Sequence, residues 1–360
     1  MAKKIEVAAF YFPQWHEDPQ NNAVMGKGWS EWASLKKAEP LFAGHEQPKS
    51  PMWGYQDAAD PAVIEQHIDV ATSHGIDIFL YDWYWDWGPK GQSDTGVYLQ
   101  RPLEEGFLKA RNRDKMKFAL MWANHNVVDR KRFDAMTDYI VGRYLHEGNH
   151  WMVNGGLFFS IYEMYTLIKG LGGVAETRDA LASFRAKVKA AGLPPLHING
   201  IEWGLRVDGY TLSGLIDYFG LDSATSYVWI HNLYPQGLFP GQFPVMYEEW
   251  MKHAPALWED LKQQCGKVPY FPNVTMGWDM SPRVPDRPYD FNKYPLIAGN
   301  TPALFEKSLR QAKEFVEKSD TTPSVVTLYA WNEWTEGGYL EPDTTHGMGY
   351  LEAIKRVFKA

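Results

Sequence analysis

The sequence predicts one (β/α)8 TIM barrel, an α/β fold with long strand-to-helix loops, and three observations carry the prediction. Eight short apolar runs recur along the 360 residues, amphipathic helical patterns lie between them, and the links leaving the runs are far longer than those entering them. Barrels of this length often form one domain, and neither a linker nor an internal repeat divides the chain, so residues 1–360 read as a single catalytic domain.

The runs are Ile5–Phe12, Asp77–Tyr84, Lys117–Ala123, Gly156–Tyr162, Leu196–Ile201, Ala224–Trp229, Tyr270–Met276 and Ser324–Trp331. Several are continuously apolar rather than alternating, as in parallel strands covered on both faces. Asp60 and Pro61 supply a helix cap and a first helical residue, Ile64, Ile68 and Ala71 form the stripe behind them, and Gly75 ends the element. Thr301 and Pro302 open another, with Leu304, Leu309, Ala312, Phe315 and Val316 on its inner side; Arg132–Leu145 and Arg178–Ala191 are two more. Ser73–Ile76 and Asp114–Lys115 are short links into strands, whereas Pro13–Ala59, Asp86–Arg101, His231–Val245 and Gly277–Asn300 are long links out of them. In a barrel the long links gather at the C-terminal rim, where active sites are built, and long ordered loops are usually functional.

Hydrophobic residues at 45% and charged residues at 22% describe an ordinary globular protein. A net charge of −8 with no Lys/Arg-rich block argues against a nucleic-acid partner. No run reaches the roughly 18 apolar residues of a membrane span. The N-terminus enters a run too short and too aromatic for a secretory signal, which favours a cytoplasmic location, or a periplasmic or secreted one if a signal peptide has been removed. Cys265 stands alone, so it forms no internal disulfide or thiolate cluster and is expected as a small buried hydrophobe. Nothing in the sequence sets the oligomeric state.

Aromatic residues make up 15% of the chain and cluster just past the runs beside polar neighbours. The clusters are Tyr81-Asp82-Trp83-Tyr84-Trp85-Asp86-Trp87, Met121-Trp122-Ala123-Asn124-His125, Tyr227-Val228-Trp229-Ile230-His231 and Trp331-Asn332-Glu333-Trp334. Core packing is the plain explanation. A carbohydrate partner is the other, because a ring covers the apolar face of a sugar while its polar neighbour bonds the hydroxyl edge.

The densest chemistry lies at Trp331-Asn332-Glu333-Trp334-Thr335-Glu336, where a strand ends. Residues three apart on a strand face opposite sides, so Glu333 and Glu336 meet only if the chain turns there. Glycosidic cleavage needs two such carboxyl groups, and flanking tryptophans raise the pKa of one by excluding water. A solvated acidic loop, with Glu336 capping a helix, is the competing explanation.

This segment, continuing Gly337-Gly338-Tyr339-Leu340-Glu341-Pro342-Asp343, resembles the C-terminal signature of WbsX-type proteins, described as lipopolysaccharide glycosyltransferases. Those in turn resemble the endo-α-mannosidase-like barrels of glycoside hydrolase family 99. The resemblance extends through Ala9–His16, Gly28-Trp29-Ser30-Glu31-Trp32, Gly75–Trp85, Pro272–Asp279 and Pro282-Arg283. It implies that Glu333 is a base removing the proton from a sugar 2-hydroxyl, which attacks C1 to give a 1,2-anhydro sugar. Glu336 is then the acid/base that protonates the leaving group and activates water. Thr335 and Gly337-Gly338 depart from the family 99 pattern, so mannan specificity does not carry over.

A second pairing, Glu163 with Asp279, matches the strand-four and strand-seven positions of many retaining barrels, and Glu202 ends another strand. Tyr11, Trp15, His16, Asp82, Trp83, Trp122, Asn124, His125, Tyr227, His231, Trp278, Asp279, Arg283, Trp331, Asn332 and Trp334 are the candidate substrate-binding residues. His125 and His231 lack a close metal-ligand spacing, so hydroxyl-bonding or structural roles suit them and no metal is expected. Arg283 suits an acidic sugar or phosphate, or an ion pair with Asp279 or Asp286. No GxGxxG, Walker loop or G-x-S-x-G elbow is present, so no nucleotide or hydride cofactor is expected. A glycosidase is the leading expectation; a glycosyltransferase and a non-catalytic carbohydrate-binding protein are the others.

Overall fold

The computed structural model describes residues 4–85, 96–284, 288–319 and 322–359. Asp86, Trp87 and Asp286 lie outside the described residues, as does most of the Asp86–Arg101 link. The barrel strands are β1 (Ile5–Tyr11), β2 (Ile78–Trp85), β3 (Lys117–Trp122), β4 (Gly156–Ile161), β5 (Leu196–Ile201), β6 (Ser223–Thr225), β7 (Tyr270–Phe271 and Asn273–Thr275) and β8 (Ser324–Tyr329). All pair in parallel, in chain order, and β8 returns to β1.

Closure depends on Pro272. The first half of β7 pairs with β6, through Tyr270 opposite Ala224. Its second half pairs with β8, through Asn273 opposite Thr327. Between the halves Pro272 has no N–H to give, while its carbonyl accepts from Thr327 N at 3.0 Å. The ladder therefore passes from one neighbour to the other at the residue least able to continue it.

Two strands differ from expectation. The seventh run, expected unbroken over Tyr270–Met276, is split at Pro272. The sixth, expected over Ala224–Trp229, ends at Thr225, and Trp229–Leu233 is helical. Trp229 leaves the sheet because both of its N–H groups find partners on β7: the backbone N–H bonds Thr275 Oγ1 and the indole N–H bonds Asn273 O, each at 2.9 Å. The other six strands lie within two residues of their expected ends.

The helices follow their caps. Asp60 accepts from Ala62 N and opens Pro61–Ser73, which buries Ile64, Ile68 and Ala71. Thr301 accepts from Leu304 N and opens Pro302–Lys318, which buries Leu309, Ala312, Phe315 and Val316. The helices expected at Arg132–Leu145 and Arg178–Ala191 form at Arg130–Arg143, capped by Asp129, and at Val174–Ala190. Between β2 and β3 the described chain has no α-helix: Val97–Tyr98 pairs antiparallel with the end of β2, and a π-helical turn, Pro102–Gly106, and two 3-10 turns, Phe107–Lys109 and Arg113–Lys115, follow. Gly106 lets them sit close, since a Cβ there would lie 2.7 Å from Ala58 O and 2.8 Å from Ile64 Cγ1.

Inside the barrel the apolar runs conceal a polar ladder. Ser160 donates to Asn199 Oδ1 at 2.8 Å, and Asn199 donates to Ser223 Oγ at 2.9 Å. Thr225 and Thr327 hydroxyls lie 3.2 Å apart, and Asn273 donates to Thr327 Oγ1 at 3.3 Å. These partners matter because a buried polar group left without one costs about 1–3 kcal/mol. Cys265 is buried as expected. No helix among the described residues is long and apolar enough to cross a membrane.

Leu309 is fully buried between its helix and the sheet. Leu309→Ala should cost about 2–5 kcal/mol, as cavity-forming changes do, read as a lower urea midpoint with the activity of the folded fraction retained.

Candidate active site

A cavity of about 450 Å³ opens at the C-terminal ends of the strands. Side chains line it by the parity of each strand, because neighbours along a strand face opposite ways. Phe12 and Gln14 beyond β1, Asp82 and Tyr84 on β2, and Met121 and Ala123 at β3 all face it. Tyr162, Tyr227, His231, Trp278 and Met280 complete the wall with Tyr98, Leu99 and His125. Asp82, Glu333 and Glu336 are its acids, and Arg283 is the one cation among its described lining residues.

The turn expected after β8 is present. Asn332–Glu333 pairs antiparallel with Gly338–Tyr339, Trp334–Glu336 forms a 3-10 turn, and Gly337 closes it at φ +68°. A side chain at Gly337 would also press on Asp279, whose backbone N lies 2.9 Å from the ideal Cβ position. This turn brings both carboxyl groups to the cavity.

One guanidinium meets them there. Arg283 Nη2 donates to Glu333 Oε2 at 3.1 Å, Nη1 donates to Glu336 Oε1, and Nε donates to Glu31 Oε1 at 2.8 Å. Its face packs over Phe12 at 5.0 Å. Tyr329 OH donates to the other Glu336 oxygen, and Thr335 Oγ1 to Glu31 Oε1 at 2.8 Å. Across the cavity Tyr227 OH donates to Asp82 Oδ2 at 2.8 Å and lies 3.5 Å from Glu333 Oε1. Burial first, then the Glu336 charge, pushes the Glu333 carboxyl well above its usual range, against the pull of Arg283. Burial also pushes Asp82 well up, opposed by the Tyr227 hydrogen bond. His125 and His231 are driven down to about 4, mainly by burial, and are neutral near pH 7.

Of the residues expected at a site, the cavity gathers Asp82, His125, Tyr227, His231, Trp278, Arg283, Glu333 and Glu336. The others line different ground. Tyr11 faces outward to His67, their polar atoms 3.3 Å apart. Trp83 bonds Tyr144 OH at 3.1 Å on the outer face of β2, and Trp122 packs on Phe133. Trp15 lies against Trp32, and His16 folds back to Pro13 O at 2.8 Å. Asn124 is bound to the backbone of Glu163, and Asn332 to the backbone of Phe12.

Trp331 and Trp334 lie buried behind the acids. The Trp331 indole donates to His67 Nδ1 at 3.3 Å, which leaves Nε2–H to face Glu341 Oε1 at 3.2 Å, and Trp334 donates to Glu341 Oε2 at 2.6 Å. The pairing of Glu163 with Asp279 does not form. Glu163 accepts from Thr166, while Asp279 is held by His45 and Gln47 at 2.8 and 2.6 Å, and neither lines the cavity. Arg283 pairs with neither Asp279 nor, among the described residues, any acid but the three named. Glu202 is buried near Ser226 and Arg206. No group of three or more potential metal ligands occurs among the described residues. Glu31, Tyr329, Tyr84 and Tyr162 were missed, although Glu31 sits in a motif already singled out and Tyr84 and Tyr162 end expected strands.

The sequence model of one family, described as Glycosyltransferase WbsX, matches residues 7–354. This chain belongs to that family. It is 25% identical to the uncharacterized protein WxcX of Xanthomonas campestris pv. campestris, over 97% of this chain and 49% of the relative. The chain thus spans about half the length of the curated relatives it matches. Its fold is similar to that of the family 99 endo-α-mannosidase of Bacteroides thetaiotaomicron, with a TM-score of 0.65 at 16% identity, over 99% of this chain and 98% of the other. A glycoside hydrolase-like protein gives 0.63 at 17% identity, over 99% and 95%. At these identities the likeness is one of fold.

Arg283→Met should leave three carboxylates facing one another, Glu31 and Glu333 buried and Glu336 partly so, at a cost of about 3–5 kcal/mol. Like-charge repulsion raises carboxyl pKa values in the folded variant, so the missing stability returns as pH falls. Denaturation at a series of pH values should show the largest deficit near pH 7 and a small one near the unfolded carboxyl range, about pH 4.

Proposed function

We propose that this chain is a glycoside hydrolase that cleaves a polysaccharide or oligosaccharide with Glu333 and Glu336, retaining configuration through a 1,2-anhydro sugar. One observation carries the reading: both carboxyl groups converge on the Arg283 guanidinium in an aromatic-walled cavity at the C-terminal rim of a barrel. Two carboxyl groups in one sugar-sized pocket are what glycosidic cleavage requires.

In the first half of the reaction Glu333 takes the proton of the 2-hydroxyl, O2 attacks C1, and Glu336 gives a proton to the departing oxygen. In the second half Glu336 takes a proton from the water that attacks C1, and Glu333 returns its proton to O2. Both oxygens of Glu336 accept hydrogen bonds in the free site, from Arg283 and Tyr329. Loading a proton there means that Nη1 of Arg283 must let go, and the leaving-group oxygen takes its place. Trp278, Tyr162 and Phe12 offer ring surface to the sugar, while the neutral His125 and His231 bond hydroxyl groups.

The family description favours a second reading, a glycosyltransferase in surface polysaccharide synthesis. Charge opposes a nucleoside-diphosphate donor. Among the described lining residues Arg283 is the one cation, and three carboxylates already share it. A diphosphate would meet like charge and an occupied guanidinium. A binding protein without catalysis would have no use for acids buried together at a desolvation cost of several kcal/mol per ion.

Product analysis on α- and β-linked polysaccharides tests the reading. Wild type should cleave at least one, and Glu333→Gln and Glu336→Gln should each lose about a hundredfold or more, the scale of lost acid–base catalysis. Cleavage that survives both changes, or turnover of a sugar nucleotide without any cleavage, overturns it.

A further inference from the structure

We propose that Asp82 stores the proton that Glu333 must lack, and that the two acids exchange it through the Tyr227 hydroxyl. The inference deepens the reading above and rests on the base role of Glu333 there. Four acids, Glu31, Asp82, Glu333 and Glu336, surround one guanidinium, so full ionisation would leave three uncompensated negative charges on side chains largely withdrawn from water. At least one of the four must hold a proton at neutral pH.

Contact with the cation decides which. Arg283 touches Glu31, Glu333 and Glu336, whereas Asp82 makes no ion pair among the described residues. Its neighbours are neutral phenols, Tyr84 on its own strand, Tyr162 beyond β4 and Tyr227 beyond β6, and the repulsion of the Glu336 charge exceeds the pull of Arg283, which does not touch it. The uncharged His125 and His231 supply no compensation. Glu333 faces the same Glu336 charge and that of Glu31, but it has Nη2 of Arg283 at 3.1 Å. Ionisation is therefore least favourable at Asp82.

The path between the two acids is one hydroxyl long. Tyr227 OH lies 2.8 Å from Asp82 Oδ2 and 3.5 Å from Glu333 Oε1. Asp82 and Glu333 are each 3% exposed and Tyr227 is 6% exposed, which leaves bulk water little access. When Glu333 carries a proton, it passes to the Tyr227 oxygen while the Tyr227 proton passes to Oδ2 of Asp82. The phenol is regenerated with its hydroxyl turned toward Glu333 Oε1, Oδ2–H of Asp82 now donates to the phenol oxygen, Glu333 becomes the carboxylate, and no charge leaves the site. Burial keeps Tyr227 un-ionised, so the relay runs through the phenol and not through a phenolate. The other Asp82 oxygen, Oδ1, is buried on the cavity wall without a hydrogen-bond partner, where a ligand hydroxyl completes it. Asp82 and Tyr227 are thus positioning residues for the base.

Carbon-13 NMR of protein labelled at the Asp and Glu carboxyl carbons reads the proton directly. Loss of one signal in Asp82→Asn and of another in Glu333→Gln assigns the pair. Should Asp82→Asn not fold, Tyr227→Phe marks the same Asp signal by removing the hydroxyl hydrogen-bonded to it. Near pH 7 the Asp82 signal should sit at the acid position and the Glu333 signal at the carboxylate position, each showing both inflections of a coupled pair on titration. An ionised Asp82, a protonated Glu333, or independent single inflections would overturn the proposal. The readout needs no substrate, so it stands or falls apart from the hydrolase reading.

Discussion

The rim of this barrel depends on one guanidinium. Arg283 gives each of its three nitrogens to a different carboxylate, and those carboxylates come from chain segments some 300 residues apart. Removing such charges from water costs several kcal/mol each, and their attraction repays it only with good geometry. A planar fork supplies that geometry and an ammonium does not. Further bonds follow from this anchor: Thr335 holds Glu31, and Asp279 N donates to Glu336 O at 2.6 Å. Without the cation, the loop after β1, the loop after β7 and the turn after β8 would have reason to separate.

The barrel delivers these groups to one place by simple means. Strand parity sends Asp82 and Tyr84 inward and Trp83 and Trp85 outward from the same run. The tail of β8 is held from behind, where the buried His67–Glu341 pair accepts one tryptophan N–H on each member. Burial pushes Glu341 up to about 8 and His67 down to about 3, so both can sit uncharged near neutral pH. A neutral pair behind the turn adds no field that would compete with Arg283 in front of it.

Much of this was legible in the sequence, and the misses share physical causes. The barrel followed from the apolar runs and the unequal links, and helix starts from Asp60-Pro61 and Thr301-Pro302. Proximity of Glu333 and Glu336 followed from a turn at the end of a strand. The parity of β2 and β3 did not follow, because strands buried on both faces show no alternation, so Trp83 and Trp122 looked as suitable as Tyr84 and Met121. The polar ladder of Ser160, Asn199, Ser223 and Thr327 was invisible because its partners come from different strands. Pro272 was inside an expected strand and was passed over, although its missing N–H is what splits β7. Glu31 pairs with Arg283 across 252 positions, a separation at which no local pattern operates.

The charge of the cavity also bears on the tension between the family description and the proposed hydrolysis. A pocket with more acids than cations suits a transition state that gains positive character at the sugar and repels a diphosphate leaving group. It places no such restriction on the group that enters second. On the proposed mechanism Glu336 takes a proton from whatever hydroxyl approaches C1 of the 1,2-anhydro sugar, and a sugar hydroxyl satisfies that step as well as water does. Hydrolysis and transfer then differ only in the acceptor that reaches the cavity, which leaves the donor chemistry of Glu333 and Glu336 unchanged. A transferase of this kind would move sugar from one glycoside to another and need no nucleotide. On the proposed mechanism the site therefore separates two questions that the word glycosyltransferase joins: the acids would determine what is cleaved, and access to the rim what receives it.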